Sequence, residues 1–121
     1  MSVNLTLPVI SKLYEAYKLL ADISIHLKKP WRYSLGHSLD TTTLDALSQT
    51  IMAKNAPKPI KATYLIKAIS HIEIATLKLR LLLELKLANE TKIFQLQAMF
   101  LEVGRMLGGW LRSLDQTKHT S

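Results

Sequence analysis

Four histidines, nine carboxylates and no cysteine are the groups on this chain of 121 residues that could ligate a metal or move a proton. His26, His37, His71 and His119 fall in four separate segments, so no two have the His-x-x-x-His spacing that sets a pair of imidazoles on one helical face. The carboxylates are scattered, and Arg80 with Glu84 has the i, i+4 spacing of a surface ion pair. There is no glycine-rich phosphate loop and no serine in a nucleophile elbow. Without cysteine there is neither a thiolate nucleophile nor a disulfide framework. No catalytic set, metal or cofactor is expected, and the chain reads as a binding protein rather than an enzyme.

What the chain does offer is positive charge: sixteen Lys and Arg against nine Asp and Glu, a formal net charge of +7. At 100° per residue, Lys67, His71 and Lys78 lie within about 40° of one another on a helix. Arg105 and Arg112 are seven residues apart and again share a face. Further cations gather at two connections, Lys28, Lys29 and Arg32 at the first, Lys54, Lys58 and Lys61 at the second. Such clusters suit phosphate oxygens, which supply affinity without reading sequence. Lys67, His71, Lys78, Arg105 and Arg112 are the candidate nucleic-acid contacts.

The elements that must carry these residues are helices, and proline and glycine divide them. Pro8 suits the first turn of a helix over about 7–28 capped by Thr6, with Ile10, Leu13, Tyr14, Tyr17, Leu20, Ala21, Ser24 and Leu27 as its apolar face. Lys28-Lys29-Pro30 would end it, cations at the negative end of the dipole followed by a stop. A second helix over about 33–54 presents Leu35, Leu39, Thr43, Ala46, Leu47 and Ile51. Pro57 and Pro59 mark a short connection that favours antiparallel neighbours.

The third helix, about 60–88, has more than one apolar stripe. Leu65, Ile69, Ile72, Leu79 and Leu83 lie on one side, with Ile66, Ile74, Leu77, Leu81 and Leu85 elsewhere. Such a helix needs cover on more than one side, which makes the extra face a candidate subunit interface. A fourth helix, about 91–114, turns Ile93, Leu96, Phe100, Val103, Leu107, Leu111 and Leu114 inward. The expected fold is all-α: one up-down-up-down antiparallel four-helix bundle over residues 1–121. No uncharged apolar run approaches the roughly 20 residues of a membrane span, so a soluble, cytoplasmic protein without a membrane partner is expected.

Two stretches are less generic. Trp31-Arg32-Tyr33-Ser34-Leu35-Gly36 follows the first helix, and Val103-Gly104-Arg105-Met106-Leu107-Gly108-Gly109-Trp110-Leu111 places three glycines in an apolar helix. Each glycine there costs up to about 1 kcal/mol relative to alanine. Close approach of another helix, from this subunit or a neighbouring one, is the expected compensation. At these stretches the chain resembles the bacterial four-helix-bundle family that includes Avd, the accessory variability determinant of diversity-generating retroelements, and the proteins encoded in intervening sequences of large-subunit ribosomal RNA genes.

That resemblance implies a five-membered ring of bundles, a homopentamer with a tapering central channel and a positively charged surface. It implies binding to nucleic acid, RNA or DNA, and association with the element's reverse transcriptase. There the protein would support mutagenic copying of a template RNA without being the polymerase. The ribosomal intervening-sequence branch, and a structural, protein-interaction oligomer with no reverse transcriptase, remain the alternatives.

Overall fold

Three of the four prolines, Pro8, Pro30 and Pro59, stand in the first turn of a helical segment. Their missing N–H would have had no intrahelical acceptor there, and their fixed φ suits the helix. In the computed structural model, residues 7–120 are described, 116–120 by their backbone alone. The elements are α1 (Pro8–Ile25), α2 (Lys29–Trp31), a π-helical turn (Arg32–Gly36), α3 (His37–Asn55), a 3₁₀ turn (Lys58–Ile60), α4 (Lys61–Glu84) and α5 (Glu90–Thr120). No strand occurs among the described residues.

Helix α1 packs against α3 and α5, and α4 against α3 and α5, so the four long helices form a closed square. Neighbours run antiparallel: Lys78, late in α4, reaches Thr42, early in α3, and Lys92, at the start of α5, reaches Asp22, near the end of α1. One hydrophobic core serves all four, with Leu13, Leu20, Leu39, Leu65, Leu79, Phe100 and Leu107 fully buried.

The apolar face expected for the first helix is rotated. Leu13, Leu20 and Leu27 are buried as expected, but Tyr14 and Ala21 face outward while Val9, Ala16 and Ile23 turn in. In α3 the inward positions include three threonines, Thr42, Thr43 and Thr50. Each hydroxyl donates to the carbonyl four residues earlier, Ser38, Leu39 and Ala46 respectively, so the buried oxygens are satisfied within the helix. Ile51 lies on the outside.

Helix boundaries also depart from expectation. Helix α1 ends at Ile25 with no basic residue in its last turn, so Lys28 and Lys29 do not cap it. Arg32 does so from the next segment, its Nη2 donating to the carbonyls of Ile25 and Leu27 at 3.3 Å each. Pro30 therefore opens the second helical stretch rather than closing the first, and that stretch begins at Lys29, ahead of residue 33. Leu7 is the N-cap of α1 and offers no side-chain bond; Thr6, the expected cap, lies outside the described residues.

Helix α4 stops at Glu84, short of residue 88, because Lys86 adopts a left-handed φ of 55°. The amide of Leu87 then donates to Leu82 O at 3.1 Å and that of Lys86 to Leu83 O at 3.0 Å, the paired bonds of a Schellman motif. Glycine is the residue this position favours. Lys86→Gly is expected to raise stability by about 1 kcal/mol, read as a higher urea midpoint at unchanged slope. Asn89 begins the next helix, its Oδ1 accepting the Lys92 amide at 3.0 Å. A side-chain cap of this kind contributes about 1 kcal/mol. Helix α5 then runs to Thr120, beyond the expected end near 114.

Candidate nucleic-acid interface

Lys67 and Lys78 share a face of α4 but not a role. Lys67 is exposed, its ammonium 6.0 Å from the centroid of the Tyr64 ring one turn earlier. His71 is half-buried. Lys78 is half-buried as well, and its Nζ donates to Thr42 Oγ1 at 2.7 Å, with the Ser38 carbonyl at 3.5 Å. The expected stripe thus turns one of its cations into the α3–α4 interface, where it ties two helices together. Lys78→Met is accordingly expected to lower stability by about 1–2 kcal/mol while leaving RNA affinity close to wild type. Urea unfolding and a filter-binding titration on the same variant separate the two effects.

Arg105 and Arg112 stand on the outer surface of α5, both exposed. Arg105 Nη1 lies 3.9 Å from Glu102 Oε1, a loose surface pair. Arg112 folds back over the glycines: a Cβ on Gly108 would meet its Nη1 at 3.3 Å, and one on Gly109 its Nη2 at 3.9 Å. Among the described residues a Cβ added at any of the three glycines would meet no other helix within 4 Å, and one at Gly104 would point into open space. The Cβ directions of the three glycines therefore show no close helix partner among the described residues; only at Gly108 would a Cβ be tight, against the Arg112 guanidinium of its own helix. Lys78 fronts α3, whereas Arg105 borders the groove between α4 and α5, so these two candidates lie on different sides of α4.

The connections are also divided. Lys61 Nζ donates to the carbonyls of Ala53 at 2.8 Å and Lys54 at 3.0 Å, closing the end of α3 as Arg32 closes α1. Lys28, Lys29 and Lys58 are exposed, and none of them pairs with a carboxylate among the described residues. At the first connection the exposed side chains include two aromatic rings, Trp31 and Tyr33, which charge counting alone passes over.

Among the described residues no three His, Asp or Glu side chains gather as a metal site would need. The side chain of His119 lies outside the described residues. His26 Nδ1 lies 2.7 Å from the Asp22 carbonyl, and the Asp22 carboxylate receives Lys92 Nζ at 2.6 Å. That hydrogen bond holds the Asp22 carboxyl below its ordinary pKa; partial burial opposes the shift, and the charges of Lys92 and His26 add to it. A carboxyl lowered on folding stabilises the fold above its unfolded pKa, and the contribution disappears as pH falls through the folded value. Asp22→Asn is therefore expected to be less stable than wild type at neutral pH, with the gap closing in strong acid. Urea midpoints at the two pH values check it. Tyr17 is shifted upward by donating to Asp40 across α1 and α3, with burial acting in the same direction.

The outer surface is apolar in places. Ile66, Ile74, Leu77, Leu81 and Leu85, the residues left over from the core stripe of α4, are all exposed, Leu77 by 64%. Phe94 and Leu101 on α5 and Leu44, Ile51 and Met52 on α3 are exposed too. Between α4 and α5 lies a groove of about 570 Å³ bordered by Ile69, Thr76, Leu77, Leu101 and Gly104. No described helix is long and apolar enough to cross a membrane. Neither a known protein-family model nor a curated protein matches this chain.

Proposed function

We propose that this chain is a nucleic-acid-binding accessory protein that works beside the reverse transcriptase of a diversity-generating retroelement, supporting mutagenic copying of template RNA. The observation that carries the reading is the surplus of cations over carboxylate partners. Of sixteen Lys and Arg, only Lys18, Arg80, Lys92 and Arg105 form ion pairs among the described residues. A surface of this kind attracts a polyanion and offers no chemistry of its own. The likeness of Arg32 to Gly36 and of Val103 to Leu111 to the Avd family supplies the reverse transcriptase and the five-membered ring. The exposed apolar side chains of α4 and α5 suit contacts between copies in such a ring. Ring and basic surface together would hold template and enzyme at high effective concentration.

The test is co-purification. The gene is expected beside a reverse-transcriptase gene with paired template and variable repeats, and the tagged protein is expected to retain that enzyme through washing. A gene located inside a ribosomal RNA operon, or an enzyme that washes away, would remove the accessory role. The rival reading, a protein-interaction oligomer indifferent to nucleic acid, draws on the same apolar faces. It predicts RNA binding that vanishes at physiological salt.

A further inference from the structure

We infer that the turn joining α1 to α3 is a stacking platform for unpaired bases, with Trp31 and Tyr33 as the rings and Lys28 and Lys29 as the phosphate contacts. The inference rests on the nucleic-acid reading above and gives it a location and a substrate form, single-stranded RNA or DNA.

Exposure and rigidity coincide at this turn. Tyr33 is 68% exposed and Trp31 37% exposed, yet the backbone beneath them is held from several directions. Arg32, between the two rings, turns its guanidinium inward to the carbonyls of Ile25 and Leu27. Ser34 Oγ donates to Pro30 O at 2.7 Å. Gly36 is buried so tightly that a Cβ there would lie 3.0 Å from Leu27 Cδ1, 3.1 Å from Ser24 Oγ and 3.3 Å from Trp31 O. The π-helical turn Arg32–Gly36 inserts an extra residue into what would otherwise be one continuous helix from Lys29 to Asn55, so it re-aims the side chains that follow. A fold that fixes a turn this firmly while leaving Tyr33 largely, and Trp31 in part, open to solvent gains little core from the Tyr33 ring.

The electrostatic setting points to a polyanion. Residues 23–39 contain no Asp or Glu but hold His26, Lys28, Lys29, Arg32 and His37. Lys29, Tyr33 and His37 recur every four residues and are all exposed. The α4–α5 turn meets this end of the bundle, since Ile23 and His26 share a cleft with Leu87, Ala88 and Asn89; that turn carries exposed Lys86 between exposed Glu84 and Glu90, so the cationic surplus lies on residues 26–37. At the opposite end the connection 56–60 has Lys58 but no aromatic residue. Cations flanking exposed rings are the combination that binds single strands with little sequence preference: phosphates meet the lysines, and every base has a face to stack. A duplex, whose bases are already stacked, could use only the lysines.

The experiment is a fluorescence titration with a short oligouridylate, compared with a duplex RNA of equal length. In a Trp110→Phe background Trp31 is the one tryptophan left, and its emission is expected to be quenched by the single strand. Tyr33→Ala is expected to lower oligouridylate affinity about tenfold. Tyr33→Phe should retain that affinity, and both variants should keep the wild-type salt slope. Lys28→Gln and Lys29→Gln should instead each flatten the slope by about 0.7. Thermal melting of Tyr33→Ala, an exposed position, should match wild type and exclude loss of fold. If Tyr33→Ala binds oligouridylate as wild type does and Trp31 emission stays constant, the platform is wrong while nucleic-acid binding stands. If the wild type binds neither single strand nor duplex at moderate salt, the platform and the proposed function fall together.

Discussion

Phe100→Ala is expected to destabilise the bundle by about 3–5 kcal/mol, a large share of the roughly 5–15 kcal/mol that holds a domain folded. Phe100 is wholly buried on α5, on the same inward face as Ile93, Leu96, Val103 and Leu107. Truncation would remove its contacts with the shared core and leave a cavity that helices fixed on both sides close only in part. The ring also borders the α4–α5 groove, so the same change would deepen that groove toward the core. Urea unfolding followed by circular dichroism reads the loss directly. A loss below about 1 kcal/mol would mean that the four helices do not close around Phe100 as described.

The second large effect is on binding. If about six phosphates are contacted, affinity for single-stranded RNA is expected to fall about 300-fold between roughly 50 and 200 mM salt, from a slope near −0.7 per phosphate. Lys67→Glu should weaken binding to all sequences alike, because an exposed lysine on a helix face meets phosphate rather than base edges. Filter binding across a salt series provides the slope. A flat response, or loss confined to one RNA sequence, would contradict phosphate-led binding.

Much of the fold is written in local signals. Pro57 and Pro59 mark a connection, and the inward face of α5 from Ile93 to Leu107 is buried as its spacing requires. Ile66, Ile74, Leu77, Leu81 and Leu85, set outside the core stripe, are all exposed, so the surplus apolar face was also legible, although Leu82, in neither set, is fully buried. What escapes the sequence depends on contacts between distant residues. Nothing near Lys78 announces Thr42, thirty-six positions away. The π-helical turn arises where Arg32 reaches back to α1 and Gly36 presses on Leu27, and neither contact has a periodicity. Lys86 ends α4 in a left-handed conformation that glycine would ordinarily signal.

The candidate site was legible as charge and not as geometry. Helical arithmetic groups Lys67, His71 and Lys78, but it cannot tell an exposed lysine from one that bonds to a neighbouring helix. It likewise treats Arg32 and Lys61 as free cations, whereas both close helix ends. The three glycines near the end of α5 suggested a close helix partner, and among the described residues their Cβ directions meet only Arg112 or open space. If a second subunit fills the space beside Gly104, assembly rather than folding explains that glycine.

Native mass spectrometry of the purified protein, first by itself and then with a structured RNA of mixed sequence, tests assembly and nucleic-acid binding together. A five-subunit species that takes up RNA at moderate salt is the expected result. A monomer or dimer that ignores RNA would contradict both, and the exposed face of α4 would then belong to a different protein partner.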